Sequence, residues 1–276
     1  MLKNLDLSRS NYYDALRRPV PKSKKQKQVV KNEILRIWKK FRCVYGAPKI
    51  AQELRKIGHN ISVRTVGLYM RELRIKAIYI KPWVATTQNS NYSSKLINLL
   101  DEQFNPEEPN AAWCIDTTYI TIRKVFVYLT SIMDLFSRRV IAWDLSDNLE
   151  VSNVVSLVKR AKRRRNVTRP LIMHSDRGSQ FTSTAYMAAT CGFTLSYSKK
   201  AYPWDNACIE SFHALIKREC LNHVDIHSFE EARRLVFDYI EAFYNTIRSH
   251  SHCNYLSPVE FEEKYYSGYK AEVRIA

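Results

Sequence analysis

Residues 112–122 read AWCIDTTYITI. β-Branched and aromatic side chains fill this run, which predicts a β-strand. Asp116 interrupts it. A charge in the middle of a buried strand costs several kcal/mol unless it is paired, hydrogen-bonded or metal-bound. Working outward, 125–133 (VFVYLTSIM) and 139–145 (RVIAWDL) have the same composition. The short loops Arg123-Lys124 and Phe136-Ser137-Arg138 between them suggest antiparallel hairpins. Residues 150–163 then predict a helix with Val151, Val154, Val155 and Val158 on one side. Strands are expected at 171–175 and 194–198, and helices at 180–191, 206–220 and 228–247. Three strands followed by alternating helices and strands make an α/β fold, a mixed sheet with helices on both faces.

The preceding third has a helical period. Val30, Ile34, Ile37, Trp38 and Phe41 form one apolar stripe, and Ile50, Leu54 and Ile57 a second, opened by Tyr45-Gly46-Ala47-Pro48. Gly58-His59-Asn60 is a break. Ser62 is placed to cap a third helix, with apolar Val63, Val66, Met70 and Leu73. Three short helices with a tight turn before the third describe a small all-α helix-turn-helix. Arg64, Thr65, Gly67 and Arg71 then lie on its exposed recognition face. A plain three-helix bundle fits the apolar pattern equally well.

Charge favours the DNA reading. Residues 1–100 hold 22 Lys and Arg against 5 Asp and Glu, and residues 101–276 hold 22 of each, so the whole excess of +17 lies in the first hundred. Such a block favours a polyanion partner. The stretch Pro19-Val20-Pro21-Lys22-Ser23-Lys24-Lys25-Gln26-Lys27-Gln28 reads as an extended basic arm. The expected organisation is an arm over 1–28, helix-turn-helix over 29–80, linker over 81–108, α/β core over 109–222 and a helical extension over 223–276. No apolar run of 18 residues and no signal-peptide core is present, so a cytoplasmic protein without membrane contact is expected. None of the six cysteines forms a Cys-x-x-Cys pair, which disfavours zinc.

Two more acidic residues stand at positions suited to chemistry. Asp176 ends the strand LIMHS, at the carboxyl end where open α/β sheets bind ligands. Glu210 opens the helix after Asn206, sharing a face with Ala214 and Lys217. Breaking or joining a phosphodiester is limited by charge, and two divalent ions about 4 Å apart, held by carboxylates, relieve it. Each residue alone also admits a structural reading: a strand hydrogen bond for Asp116, a turn for Asp176, a solvated helix start for Glu210.

The sequence resembles the IS3 family of insertion-sequence transposases, specifically their second reading-frame product. The resemblance spans about residues 8–265. It is carried by Asn110-x-x-Trp113-x-x-Asp116-x-Thr118-Tyr119-Ile120, His174-Ser175-Asp176-Arg177-Gly178-Ser179-Gln180-Phe181, Asp205-Asn206-Ala207-x-x-Glu210-Ser211-Phe212 and Tyr244-Asn245-x-x-Arg248-x-His250 with Ser257-Pro258. It implies a ribonuclease-H-like core of the retroviral-integrase superfamily, with Asp116, Asp176 and Glu210 as a DDE triad. It also implies two Mg²⁺ ions (Mn²⁺ as a substitute) and attack of a DNA 3′-hydroxyl. The implied partners are terminal inverted repeats, target DNA, further copies of the chain, and the element's first reading-frame protein. The 33 residues between Asp176 and Glu210 are slightly fewer than the family usually has. The expected DNA contacts are Arg64, Thr65, Arg71, Arg74, Lys199, Lys200 and Lys217.

Around the triad, Asp134 is read as supporting rather than catalytic, and Gly178 as a positive-φ turn residue. Asn206 is read as a helix cap and Arg248 and His250 as packing. His174 is either a satisfied strand histidine or a group orienting DNA or water. The run Lys159, Arg160, Lys162, Arg163, Arg164, Arg165 either meets its own helix C-terminus or grips phosphates.

Overall fold

The computed structural model describes Tyr13 and residues 21–78, 96–123, 125–167, 169–199 and 202–273. The chain divides into two compact units between Tyr79 and Ile80.

The first unit holds α1 (Lys22–Lys40), α2 (Ala47–Lys56) and α3 (Val63–Glu72). Val30, Ile34, Ile37 and Phe41 of the first stripe meet Ile50, Ala51, Leu54, Val66 and Met70 in its core. Tyr45, stacked on Phe41 with ring centroids 4.0 Å apart, closes that core. Gly58 takes φ 89°, the left-handed turn a side chain would resist, and Ser62 Oγ accepts from Thr65 N at 3.1 Å to cap α3. Expectations are corrected at several positions. The basic arm is not extended over 22–28, because α1 begins directly after Pro21. Lys and Gln are good helix formers, and Lys27 and Lys31 both pair with Glu72 of α3. Gly67 is only half exposed: a Cβ there would make an ordinary van der Waals contact with that of Ala47, at 3.7 Å, so this position lies at the α3–α2 contact. Val63, expected among the apolar contacts, is exposed.

The second unit is built on β1 (Ala112–Ile122), β2 (Val125–Asp134), β3 (Val140–Ser146), β4 (Ile172–Ser175) and β5 (Thr194–Tyr197). Their order is β3-β2-β1-β4-β5. β1, β2 and β3 pair antiparallel, while β1, β4 and β5 pair parallel. One face of this mixed sheet packs α4 (Val151–Arg165) and α5 (Thr184–Ala189). Trp113, Ile115, Ile132, Val154, Leu157, Val158, Met173, Phe181 and Tyr186 form that core. Alternation along the strands sends Cys114 and Asp116 to the opposite face, where α6 (Ala207–Glu219) packs through Ile209, Phe212, His213 and Ile216. The helix expected over 228–247 is α7 (Phe229–Tyr239) ending in a π-helical turn, Ile240–Tyr244. α8 (Pro258–Val273) completes the unit. The helix expected over 180–191 shrinks to α5, whose N-cap Ser183 follows a turn. No described helix is long and apolar enough to cross a membrane.

Candidate active site

The parallel pairing of β1 with β4 ends at Ile115↔Ser175. Asp116 is the next residue of β1 and Asp176 the first residue past the end of β4, so the register brings their backbones alongside, on strands about 4.8 Å apart, and the Asp116 charge reaches the Asp176 carboxyl. α6 brings Glu210 to the same place from the opposite-face layer. Burial, and then the Asp116 charge, push the Asp176 carboxyl up to about 6. Burial, and then the charges of Asp116 and Asp176, push Glu210 up to about 7. Each raised value marks partial burial with like charge gathered close by, although Glu210 itself keeps an exposed surface. Among the described residues neither Asp176 nor Glu210 is ion-paired, and Asp176 accepts only a 2.9 Å bond from Gly178 N.

Hard divalent cations take oxygen ligands, so these three carboxylates are a suitable donor set for Mg²⁺ or Mn²⁺. No three described His, Cys, Asp or Glu side chains are drawn into a ready-made cation cage. A cation held by all three would draw these carboxylates closer together and offset their mutual repulsion.

Two side chains beside the carboxylates were not singled out in the sequence. His213, buried on α6, places Nδ1 3.4 Å from Asp116 Oδ2, and its Nε2 is hydrogen-bonded to Ser131 Oγ at 3.3 Å. Ser131 is the register partner of Asp116 on β2. The available signals were a hydroxyl inside an apolar strand and a histidine three positions after Glu210, one helical turn along. Lys217 lies over the Tyr119 ring at 4.2 Å, and burial lowers its ammonium below the usual lysine range although the Asp116 charge opposes this.

The remaining expected residues scatter. Arg64, Arg71 and Arg74 are exposed on and just after α3, with Arg64 and Arg71 two turns apart on one face. Thr65 is half-buried and its hydroxyl is shared with Ser62 Oγ at 2.9 Å, so it serves the cap. Lys199 is exposed but pairs with Asp101 at 2.7 Å, and Lys200 lies outside the described residues.

His174 is the satisfied strand histidine of the two alternatives. It is buried, bonded to Ser196 and Ser198 Oγ at 2.9 and 3.1 Å, and burial pushes it down to about 4. Asp134 is structural, accepting from Asn110 N and Phe136 N. Gly178 is corrected: its φ is not positive. A Cβ there would instead come within 2.7 Å of the Gln180 amide. Asn206 is corrected too. Its side chain makes no cap bond, and the 3₁₀ turn Pro203–Asn206 leads into α6. Arg248 makes a bidentate ion pair with Glu219 of α6, at 2.8 and 2.7 Å.

Three family profiles match the chain. A domain described as HTH-like covers residues 25–83, and two described as integrase core domain cover 106–203 and 191–258. The transposase InsF for insertion sequence IS3A of Escherichia coli (strain K12) is 34% identical over 268 residues, which is 96% of this chain and 93% of that protein. The transposase for insertion sequence element IS904 of Lactococcus lactis subsp. lactis (strain IL1403) is 32% identical over 249 residues, 90% of this chain and 98% of that protein. Among solved structures, the HTLV-2 integrase catalytic core domain in complex with magnesium (dimeric form) matches with TM-score 0.42 and 17% identity, over 56% of this chain and 97% of that one.

Proposed function

The chain belongs to the IS3 family of insertion-sequence transposases, and from that premise we propose that it cuts and joins DNA strands at Asp116, Asp176 and Glu210 with a divalent cation. The observation that carries this reading is the register of β1 and β4, which sets Asp116 beside Asp176 while Glu210 senses both charges. When bound, Mg²⁺ supplies neutralisation of charge on the attacking and leaving oxygens of the phosphodiester. Asp116, Asp176 and Glu210 are its oxygen ligands. The raised proton affinities of Asp176 and Glu210 mean that binding a cation releases protons, so activity should climb with pH through the range near 6 to 7.

The chain's other residues bind and orient. Lys217, half-buried beside Asp116, contacts a phosphate of the reacting strand, and Lys199 and Lys200 contact DNA flanking it. Arg64, Arg71 and Arg74 grip the terminal repeats. Thr65 acts there by holding the first turn of α3, through its bond to Ser62. A complex that joins two element ends needs more than one copy of the chain.

The test is an oligonucleotide assay with the element's own ends and Mg²⁺. Joined products are expected from the wild type. Asp116→Asn, Asp176→Asn and Glu210→Gln should each abolish cutting and joining and still shift the DNA. Full activity in any one of them rejects that residue. Nicked but never joined product from the wild type would make the protein a nuclease, and binding without cutting would make it a regulator.

A further inference from the structure

We propose that His213 is a positioning residue: it fixes the Asp116 carboxylate for the cation shared with Asp176 and Glu210. This rests on the carboxylate reading above.

His213 is 4% exposed, and its ring bridges two residues that face each other across β1 and β2. Nε2 is bonded to Ser131 Oγ at 3.3 Å, and Nδ1 stands 3.4 Å from Asp116 Oδ2. A neutral imidazole has one donor and one acceptor nitrogen. With the Ser131 hydroxyl donating to Nε2, Nδ1 carries the ring proton on the side of Asp116, where it makes a close contact of 3.4 Å with the carboxylate rather than a formed hydrogen bond. Asp116 needs such a hold, because the charges of Asp176 and Glu210 repel it. Lys217 would supply attraction as well, but its positive charge would compete with a cation. An imidazole N–H facing the carboxylate orients it by geometry, without the fixed ammonium charge of a lysine. Since α6 carries both Glu210 and His213, the helix that delivers one ligand also sets the other. Groups that orient a metal's ligands typically change metal affinity by about 10- to 100-fold when removed.

The experiment is a Mn²⁺ titration of the full chain, reading free Mn²⁺ by electron paramagnetic resonance, with melting temperature measured in chelator. Asn at 213 puts an amide where Nδ1 now lies, whereas Gln puts one nearer Nε2. His213→Ala and His213→Gln should weaken Mn²⁺ binding about tenfold, and His213→Asn should restore most of it. Ser131→Ala should weaken it less. If His213→Ala folds and binds as tightly as the wild type while Asp116→Asn loses binding, the proposal is overturned and the carboxylate reading survives. If Asp116→Asn also binds normally, the carboxylate reading fails and takes the proposal with it. Should the alanine variant not fold, Asn and Gln variants of equal affinity would overturn the proposal.

Discussion

Two aspartates one strand apart show how surroundings decide a residue's part. Asp116 sits where the sheet opens toward α6, whereas Asp134, the register partner of Trp113, is wholly buried at the end of β2. Asp134 accepts two backbone N–H bonds, and Arg165 lies 3.4 Å away. That arginine is mainly committed to Glu262, so burial dominates and pushes Asp134 up to about 6. With the folded value above the ordinary 3.8, the folded chain binds more protons than the unfolded chain between pH 4 and 6. Stability is therefore lost as pH rises through that window, by at most about 2–3 kcal/mol. Asp134→Asn cannot titrate. Relative to the wild type, it should gain stability between pH 4 and 6 and hold level above, as read by urea melts across that range. A stability difference flat with pH would show that Asp134 keeps an ordinary carboxylate's proton affinity.

Among the elements, α6 depends most on a distant anchor. Glu219 at its end is held by Arg248 and by the Tyr239 hydroxyl, with both charged partners at most 7% exposed. Arg248→Ala would remove the bidentate partner of a buried carboxylate and should cost up to about 3–5 kcal/mol, less what the Tyr239 hydroxyl retains. Arg248→Lys should recover only part, since an ammonium lacks the fork; equal melting of the two variants would contradict this. The edge strand β3 has a different device. Its Trp143 and Ile141 carbonyls accept from Arg160 and Arg164 of α4, and Asn245 brackets Val140 N and O. The arginine run at the end of α4 is thus largely occupied by the protein itself, with Arg164 also on Glu241 and Arg165 on Glu262. Replacing Arg160 and Arg164 together with alanine should uncover the edge and raise self-association in light scattering; an unchanged monomer fraction would argue otherwise. The strands were legible because β-branched runs bounded by short loops have few other uses. The π turn was not. Its i→i+5 backbone serves Tyr244 and Asn245, which reach Arg138 O and Val140, and no local propensity encodes those tertiary bonds. The start of α1 was hidden for a similar reason: Lys27 and Lys31 look like solvated charge until Glu72 of α3 is seen beside them.

Across the whole molecule, charge and chemistry are divided along the chain. The excess of +17 lies entirely in residues 1–100, and the three carboxylates lie beyond them. The lopsided charge is legible as an electrostatic footprint, and four ordered motifs give the family. The sequence could not show that the Asp116 and Asp176 positions continue one strand register, nor that His213 and Ser131 stand beside them. Arg64→Ala with Arg71→Ala in the full chain should weaken binding of the element's ends. It should also flatten the dependence of log Kd on log salt by up to about 2, near one per lost phosphate contact; an unchanged slope would move the DNA contacts elsewhere. The most direct measurement is anomalous scattering from crystals of the wild-type chain containing Mn²⁺. Manganese should appear about 2.1–2.2 Å from carboxylate oxygens of Asp116, Asp176 and Glu210 together. Manganese bound elsewhere, or at two of these residues with the third turned away, would contradict a shared metal centre.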